Sequence, residues 1–280
     1  GMTDLPLLSE PNLQQQLVEI GYQGKKLEEL EGLSTTEKAK MLFIVQDPYT
    51  SYYDAKVVRD FVALTQKLGF SPIVLPFKSN GKAMHIKGFL ARFSKTAKTQ
   101  AEFLNRVAKL NVPLVGVDPA IVLSYRDEYK EALGDSRGDF HVLTAHEWLT
   151  NQLESNALQS AVKNIAKSDC NFEWHLFPHC TESTFMPNSP KEWQNIFAQF
   201  GQTLKVEKVG CCGMAGVFGH EVQNQTMSKD IYDVSWGKKL QGKDPNYCLA
   251  TGYSCRSQVK RYEKAILKHP VQALLEVLNN

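Results

Sequence analysis

The first 169 residues of this 280-residue chain contain no cysteine; all six, Cys170, Cys180, Cys211, Cys212, Cys248 and Cys255, come later. A set this sparse and lopsided excludes a disulfide scaffold and leaves metal binding or redox chemistry as the use of any cluster. No apolar run approaches the roughly 18 residues that span a bilayer, and the opening GMTDLPLLSE lacks the basic and apolar regions of a signal peptide. A cytoplasmic chain with no transmembrane segment is therefore expected. Excess charge is missing too: 32 Lys and Arg against 30 Asp and Glu give a net +2, which makes no electrostatic case for nucleic acid or an anionic membrane as partner. No G-x-G-x-x-G follows a strand-like run, no clustered ferredoxin-type cysteine run appears, and nothing suggests a flavin site. Gly1 ahead of Met2 looks like a residue left by tag removal, so the sequence reads as a piece of something longer.

What is present is alternation. MLFIVQDPYT, VVRDFVALTQKLGF, SPIVLPF, AEFLNRVAKL and VPLVGVD read as strand, helix, strand, helix, strand, the pattern of an α/β domain with parallel strands. Residues 1–40 are polar with scattered Leu and read as a linker or peripheral helices. A second copy of the plan follows. Asp47-Pro48 and His179-Cys180 each close an apolar run, and 31 residues after Pro48 and after Cys180 come Ser79-Asn80-Gly81 and Cys211-Cys212-Gly213. Further on, Ile121 stands opposite Cys255, at 40 and 42 residues past the aligned glycines. The expected fold is α/β: two pseudo-symmetric βαβ-type lobes with parallel sheets, plus a peripheral N-terminal segment. Residues 41–150 form the first repeat, without cysteines, and 151–280 the second, with the cysteine site.

Cys180, Cys211, Cys212 and Cys255 each follow an expected strand, where turns gather side chains at one edge of a parallel sheet. Four cysteines from three loops are the ligand count of a tetrahedral zinc or a four-iron cluster, both of which take soft thiolates. Neighbouring thiolates can reach one centre only if the backbone turns sharply, and Gly213 and Gly216 remove the Cβ atoms that would obstruct it. The plainer alternative for Cys211-Cys212 is a pair of buried small residues, or a strained vicinal disulfide. Cys170, in SDCNF, reads as a free thiol in a loop, and Cys248, in NYCLA, as a buried strand residue. His179 and His220-Glu221 could ligate, hydrogen-bond a thiolate or relay a proton, and are read as supporting groups. Lys87 and Arg126-Asp127 lie at corresponding loop ends of the first half, as partners of an interface or as ordinary surface ion pairs.

Cys180, the CCG at 211–213 and Cys255 in GYSCRSQ resemble the cysteine-rich CCG domain of heterodisulfide reductase subunits, of the iron–sulfur subunits of glycolate and glycerol-3-phosphate oxidation, and of the C-terminal part of long FAD-linked D-2-hydroxyacid dehydrogenases. VQDPYTSYYDAKVV, LPFKSNGKAMHIKGFL, VGVDPAIVLSYRDEY, CCGMAGVFGHE and ATGYSCRSQVKR look like the last group, the bacterial D-lactate and D-2-hydroxyglutarate dehydrogenase-like fusion flavoproteins, over about residues 41–280. Departures are equally specific. Members with two complete motifs carry a CCG where this chain has Ser79-Asn80-Gly81, and often a CxxC where it has Gly252-Tyr253-Ser254-Cys255. The first repeat is thus expected to be metal-free, and a noncubane or double-cubane assembly lacks the thiolates it needs.

The resemblance implies a 4Fe-4S cluster on the four cysteines, which air exposure would empty or exchange for zinc. It places FAD-binding and ferredoxin-like domains upstream, to oxidise a D-2-hydroxyacid, and an electron acceptor downstream. That acceptor is the route by which a cytoplasmic protein would reach the periphery of the inner membrane. The chain alone would be catalytically incomplete, and no catalytic residue is assigned. Two rival readings stay open: a zinc-holding docking module, and a dithiol catalyst built on Cys211 and Cys212.

Overall fold

The computed structural model describes residues 1–158, 162 and 173–279. They form two compact units, one of Leu8–Trp148 and the other of Gly1–Leu7 with Leu149–Asn280. Each is α/β with a wholly parallel sheet, the fold class that the alternation of the sequence implies.

In the first unit four strands, β1 (Met41–Val45), β2 (Ser71–Val74), β3 (Leu114–Gly116) and β4 (Val142–Thr144), lie in the order β2-β1-β3-β4. Every residue of β1, MLFIV, is buried, as an inner strand covered on both faces requires. Its register is fixed on both sides, with Phe43 opposite Ile73 of β2 and Leu114 of β3. The helix Ala55–Lys67 returns the chain from β1 to β2 and buries Val57, Val58, Phe61, Val62 and Leu64, an apolar stripe at helical spacing. Leu90–Ala108 does the same between β2 and β3 with Phe93, Ala97, Ala101, Leu104 and Val107. The N-terminal segment contributes as well. Asn12 closes a capping box on the helix Leu13–Glu19, and Leu30 is buried in the core of this unit.

The second unit carries β5 (Glu173–Phe177), β6 (Thr203–Val206) and β7 (Cys248–Ala250) in the order β6-β5-β7. Both sheets therefore put their first strand in the middle, their second on one side and their third on the other; the first unit adds β4. No helix among the described residues is long and apolar enough to cross a membrane.

Shared order puts the turns that follow the strands in like places: those carrying Asp47, Asn80 and Asp118 in the first unit, and those carrying Cys180, Cys211-Cys212 and Cys255 in the second. Capping explains the first set. Asp47 Oδ1 accepts from the backbone N–H of Tyr49 at 2.8 Å and of Thr50 at 2.9 Å, and Asp118 Oδ1 accepts from Ala120 at 3.0 Å and Ile121 at 3.3 Å. Pro48 and Pro119 occupy the first helical turn, where the missing N–H costs nothing. In the second unit His179 takes the capping role, its Nδ1 accepting from the Thr181 N–H at 3.2 Å.

Both caps of the first unit are buried carboxylates. Burial, and then the nearby charge of Asp118, pushes the Asp47 carboxyl up to about 6. Its folded-state value is raised, so this group contributes stability that is whole below the unfolded value of 3.8 and is lost as pH climbs through about 6. Asn caps a helix as well as Asp, so Asp47→Asn should remove that loss while keeping the helix start. We expect the variant to gain stability relative to the wild type between pH 4 and 7, by on the order of 1–3 kcal/mol in denaturant titrations. Parallel stability curves for the two proteins would show that Asp47 is not the titrating group.

Candidate functional site

Because β5, β6 and β7 run the same way, the three turns that follow them open at one edge of the sheet. Cys180 stands two residues beyond Pro178, at the start of the helix Cys180–Phe185. Cys211 and Cys212 lie in the loop after β6, and Cys255 in the first turn of Tyr253–Glu263, after β7. The structure brings these four together. Cys211 is hydrogen-bonded to Cys180 and to Cys212, and Cys212 in turn to Cys255, so the sulfurs form one continuous chain of contacts. Cys180 and Cys211 are half-buried, whereas Cys212 and Cys255 are 2% and 1% exposed.

The thiols are not equivalent. Hydrogen bonds from Cys180 and Cys212, helped by the Gly213 N–H at 3.3 Å from its Sγ, hold Cys211 far below the ordinary thiol range. Its partners move the other way: donating to Cys211 raises Cys180 and Cys212, and burial adds to both. Among the described residues no three His, Cys, Asp or Glu side chains stand where they could share a single ion. The thiols touch in series, and a four-iron cluster, which takes four cysteine thiolates, does not require that all of them meet at one ion.

Polar bonds on both sides fix the loop that carries the pair. Gly210, just before it, donates to Ser235 Oγ at 2.8 Å and accepts from Trp236 Nε1 at 3.0 Å. Just after it, the Gly213 carbonyl accepts from Ser228 Oγ at 2.8 Å, and that hydroxyl accepts from Gln258 Nε2 at 2.8 Å. Gly213 itself has φ +83°, and a Cβ there would lie 2.3 Å from the Ser228 carbonyl oxygen. Only glycine fits this turn.

A second set of bonds ties the β5 turn to the β7 turn. Glu182, fully buried two residues after Cys180, accepts from the hydroxyls of Ser189 and Thr251. Thr251 Oγ1 also accepts from the His179 N–H at 2.9 Å, and the Arg256 guanidinium donates to the Thr251 carbonyl at 3.0 Å. Gly252 lets the imidazole of His179 approach, since a Cβ there would meet its Cδ2 at 2.3 Å. Sequence reasoning missed Glu182, Thr251, Ser228 and Gln258. Each is an ordinary polar residue until the fold buries it, and the one local signal is the Glu in the first turn of CTES.

Of the supporting residues expected from the sequence, His179 adjoins the thiols, and its Nε2 lies 3.5 Å from Ser254 Oγ. His220 meets the N-terminal residues. Its carbonyl accepts from the Thr3 N–H at 2.8 Å, Met2 bridges to Glu221, and Asp4 pairs with Arg261, so His220 lies under the N-terminal residues. Burial, and then Arg261, lower its imidazole. Gly216 continues the loop at φ +68°. Cys248 is buried inside β7 and stays out of the thiol chain, raised to about 11 by burial. Cys170 lies outside the described residues. In the first unit Arg126 forms a bidentate pair with Glu147, at 3.0 and 2.5 Å, and donates to the Val142 carbonyl. Lys87 is exposed.

No family model matches the chain. Over 278 residues, 99% of its length, it is 81% identical to a D-2-hydroxyglutarate dehydrogenase of Haemophilus influenzae and 56% identical to one of Escherichia coli. It is thus similar, end to end, to one segment of these dehydrogenases. The chain spans about a quarter of their length, 27% and 26% respectively. A more distant likeness, 22% identity over 241 residues, is to one of the subunits of the anaerobic glycerol-3-phosphate dehydrogenase of Escherichia coli, covering 82% of this chain and 57% of that relative.

The Gly213 turn generates a direct test. Gly213→Ala forces a Cβ against a backbone carbonyl at a positive φ, and should cost about 2 kcal/mol or more in denaturant unfolding. The buried Cys212 should then react faster with a thiol reagent. A variant as stable as the wild type, with Cys212 still protected, would mean that the loop has another conformation.

Proposed function

We propose that the chain is the iron–sulfur electron-transfer module of a longer FAD-dependent dehydrogenase acting on a D-2-hydroxyacid, with D-2-hydroxyglutarate the substrate suggested by the names of its relatives. The observation that carries the reading is the continuous contact of Cys180, Cys211, Cys212 and Cys255, drawn from three strand ends to one sheet edge. The donor set fits a 4Fe-4S cluster in chemistry: four soft thiols, two of them buried and two half-buried. When bound, such a cluster would accept and pass on one electron at a time.

The protein's own part is to hold the ligands and set their basicity. Gly213 supplies the turn and an N–H directed at Cys211 Sγ, a bond that stabilises thiolate over thiol. Glu182 and Thr251 keep the Cys180 turn against the Cys255 turn. Cys212 and Cys255, buried in the apolar core with Met214, Tyr232 and Trp236, hold the inner side of the site away from water. Flavin chemistry and substrate recognition belong to the remaining three quarters of the longer protein, as do the ferredoxin-like domains that would hand electrons to this site.

Anaerobic purification followed by iron, acid-labile sulfide and zinc analysis tests the reading. Iron and sulfide in near-equal amounts are expected; stoichiometric zinc without sulfide would favour the docking-module reading, and a reversible disulfide without metal the dithiol one. Replacing Cys212 with serine puts a hard hydroxyl in place of a soft thiolate and should lower iron content and shift the reduction potential after anaerobic reconstitution. Unchanged iron and potential would remove Cys212 from the ligand set. The isolated chain should also fail to oxidise D-2-hydroxyglutarate with an artificial dye, and turnover free of contaminants would overturn the division of labour.

A further inference from the structure

A net charge of +2 conceals a strong local asymmetry. Residues 78–109 hold eight of the 32 Lys and Arg but one of the 30 Asp and Glu. Inside this stretch Ile86 to Arg92, IKGFLAR, are seven consecutive exposed residues, spanning the end of the helix Lys82–Ile86 and the start of Leu90–Ala108. Three of them are large and apolar: Ile86, Phe89 and Leu90 are 39%, 56% and 59% exposed. Cations surround them. Lys87 is exposed, the Arg92 guanidinium lies 5.8 Å from the centre of the Phe89 ring, and Lys95 and Lys98 follow at three-residue spacing on the exposed side of the long helix. The opposite side of that helix, Phe93, Ala97, Ala101 and Leu104, is spent on the core, so the basic side is committed to solvent or to a partner.

Exposed apolar tips beside flexible cations match a fluid anionic interface. A rigid protein partner would need pockets shaped to each tip, whereas a lipid headgroup layer accepts apolar tips in any arrangement and attracts lysines at a distance. We propose that this face of the first unit binds an anionic lipid bilayer directly, with Ile86, Phe89 and Leu90 entering the headgroup layer and Lys87, Arg92, Lys95 and Lys98 meeting lipid phosphates. Such contact differs from membrane attachment through an electron acceptor, and it does not depend on the thiol site or on the function proposed for it. The sequence-level expectation that charge offers no case for an anionic membrane holds for the chain as a whole and fails for this stretch.

The test is sedimentation of the full-length protein, and of this chain, with phosphatidylcholine vesicles carrying about 30 mol % phosphatidylglycerol, against pure phosphatidylcholine. Both proteins should bind the anionic vesicles, weakly or not at all the neutral ones, and less as salt rises. The exposed double substitution Phe89→Ser/Leu90→Ser should lower the partition coefficient about tenfold or more, and Lys95→Glu/Lys98→Glu by a comparable factor, each with an unchanged thermal midpoint. Absence of binding to anionic vesicles overturns the proposal, as does equal binding to neutral ones. Sensitivity to the lysine changes alone would mean adsorption without insertion, and would overturn the proposal in favour of an acidic protein partner. Binding by this chain but not by the full-length protein would overturn it too, because the rest of the protein would then cover the face.

Discussion

Parallel pairing is the constraint on which the candidate site depends. In a parallel sheet every strand ends at the same edge, so residues far apart in the chain, 75 positions in the case of Cys180 and Cys255, are delivered to neighbouring turns without any long-range attraction between their side chains. The register that aligns Leu176 with Val206 and Leu249 is set by burial, because slipping one residue would turn the core side chains outward. Site geometry is thus a by-product of the hydrophobic pattern of three short strands. What remained to be specified was local: a turn tight enough to bring two adjacent cysteines to one place, and bonds to keep the turns from spreading.

The two units solve the same edge problem with different chemistry. In the first, strand-end residues serve the helices that follow them: Asp47 and Asp118 accept backbone N–H groups, and Asn80 Oδ1 accepts from the Lys82 N–H at 3.0 Å. In the second, His179 retains that duty, and the positions beside it are given over to thiols. A carboxylate pair and a thiol chain are both sets of like groups held close, and in each the neighbours change how tightly a member holds its proton. Asp47 rises because Asp118 and burial penalise its charge, while Cys211 falls because two neighbouring thiols and a backbone amide donate to it.

Much of this was legible in the chain. The alternation of apolar runs and amphipathic stretches gave the α/β class, and the matched 31-residue interval gave equivalent turns, because strand–helix–strand units of similar length place their turns alike. Cysteine absence from the first half pointed to the second. The long-range polar bonds were not legible: nothing in CTES or ATGY marks Glu182 and Thr251 as partners 69 residues apart, since burial and not residue type makes them significant. The surroundings of His220 were hidden for a related reason. Next to the glycine loop in sequence, it is drawn instead beneath the first residues of the chain by a backbone hydrogen bond that no side-chain pattern announces.

Sequence alone determined the periodicities, the supply of soft ligands and the glycine without which the turn at 213 cannot close, because these follow from covalent structure and from which side chains avoid water. Tertiary structure alone decided which thiol is the acceptor in the chain of four, which carboxylates lose their solvent, and which apolar residues, Phe89 and Leu90 among them, are left outside. Each of those outcomes depends on what stands within a few ångströms in space, and that neighbourhood exists only once the sheets are assembled.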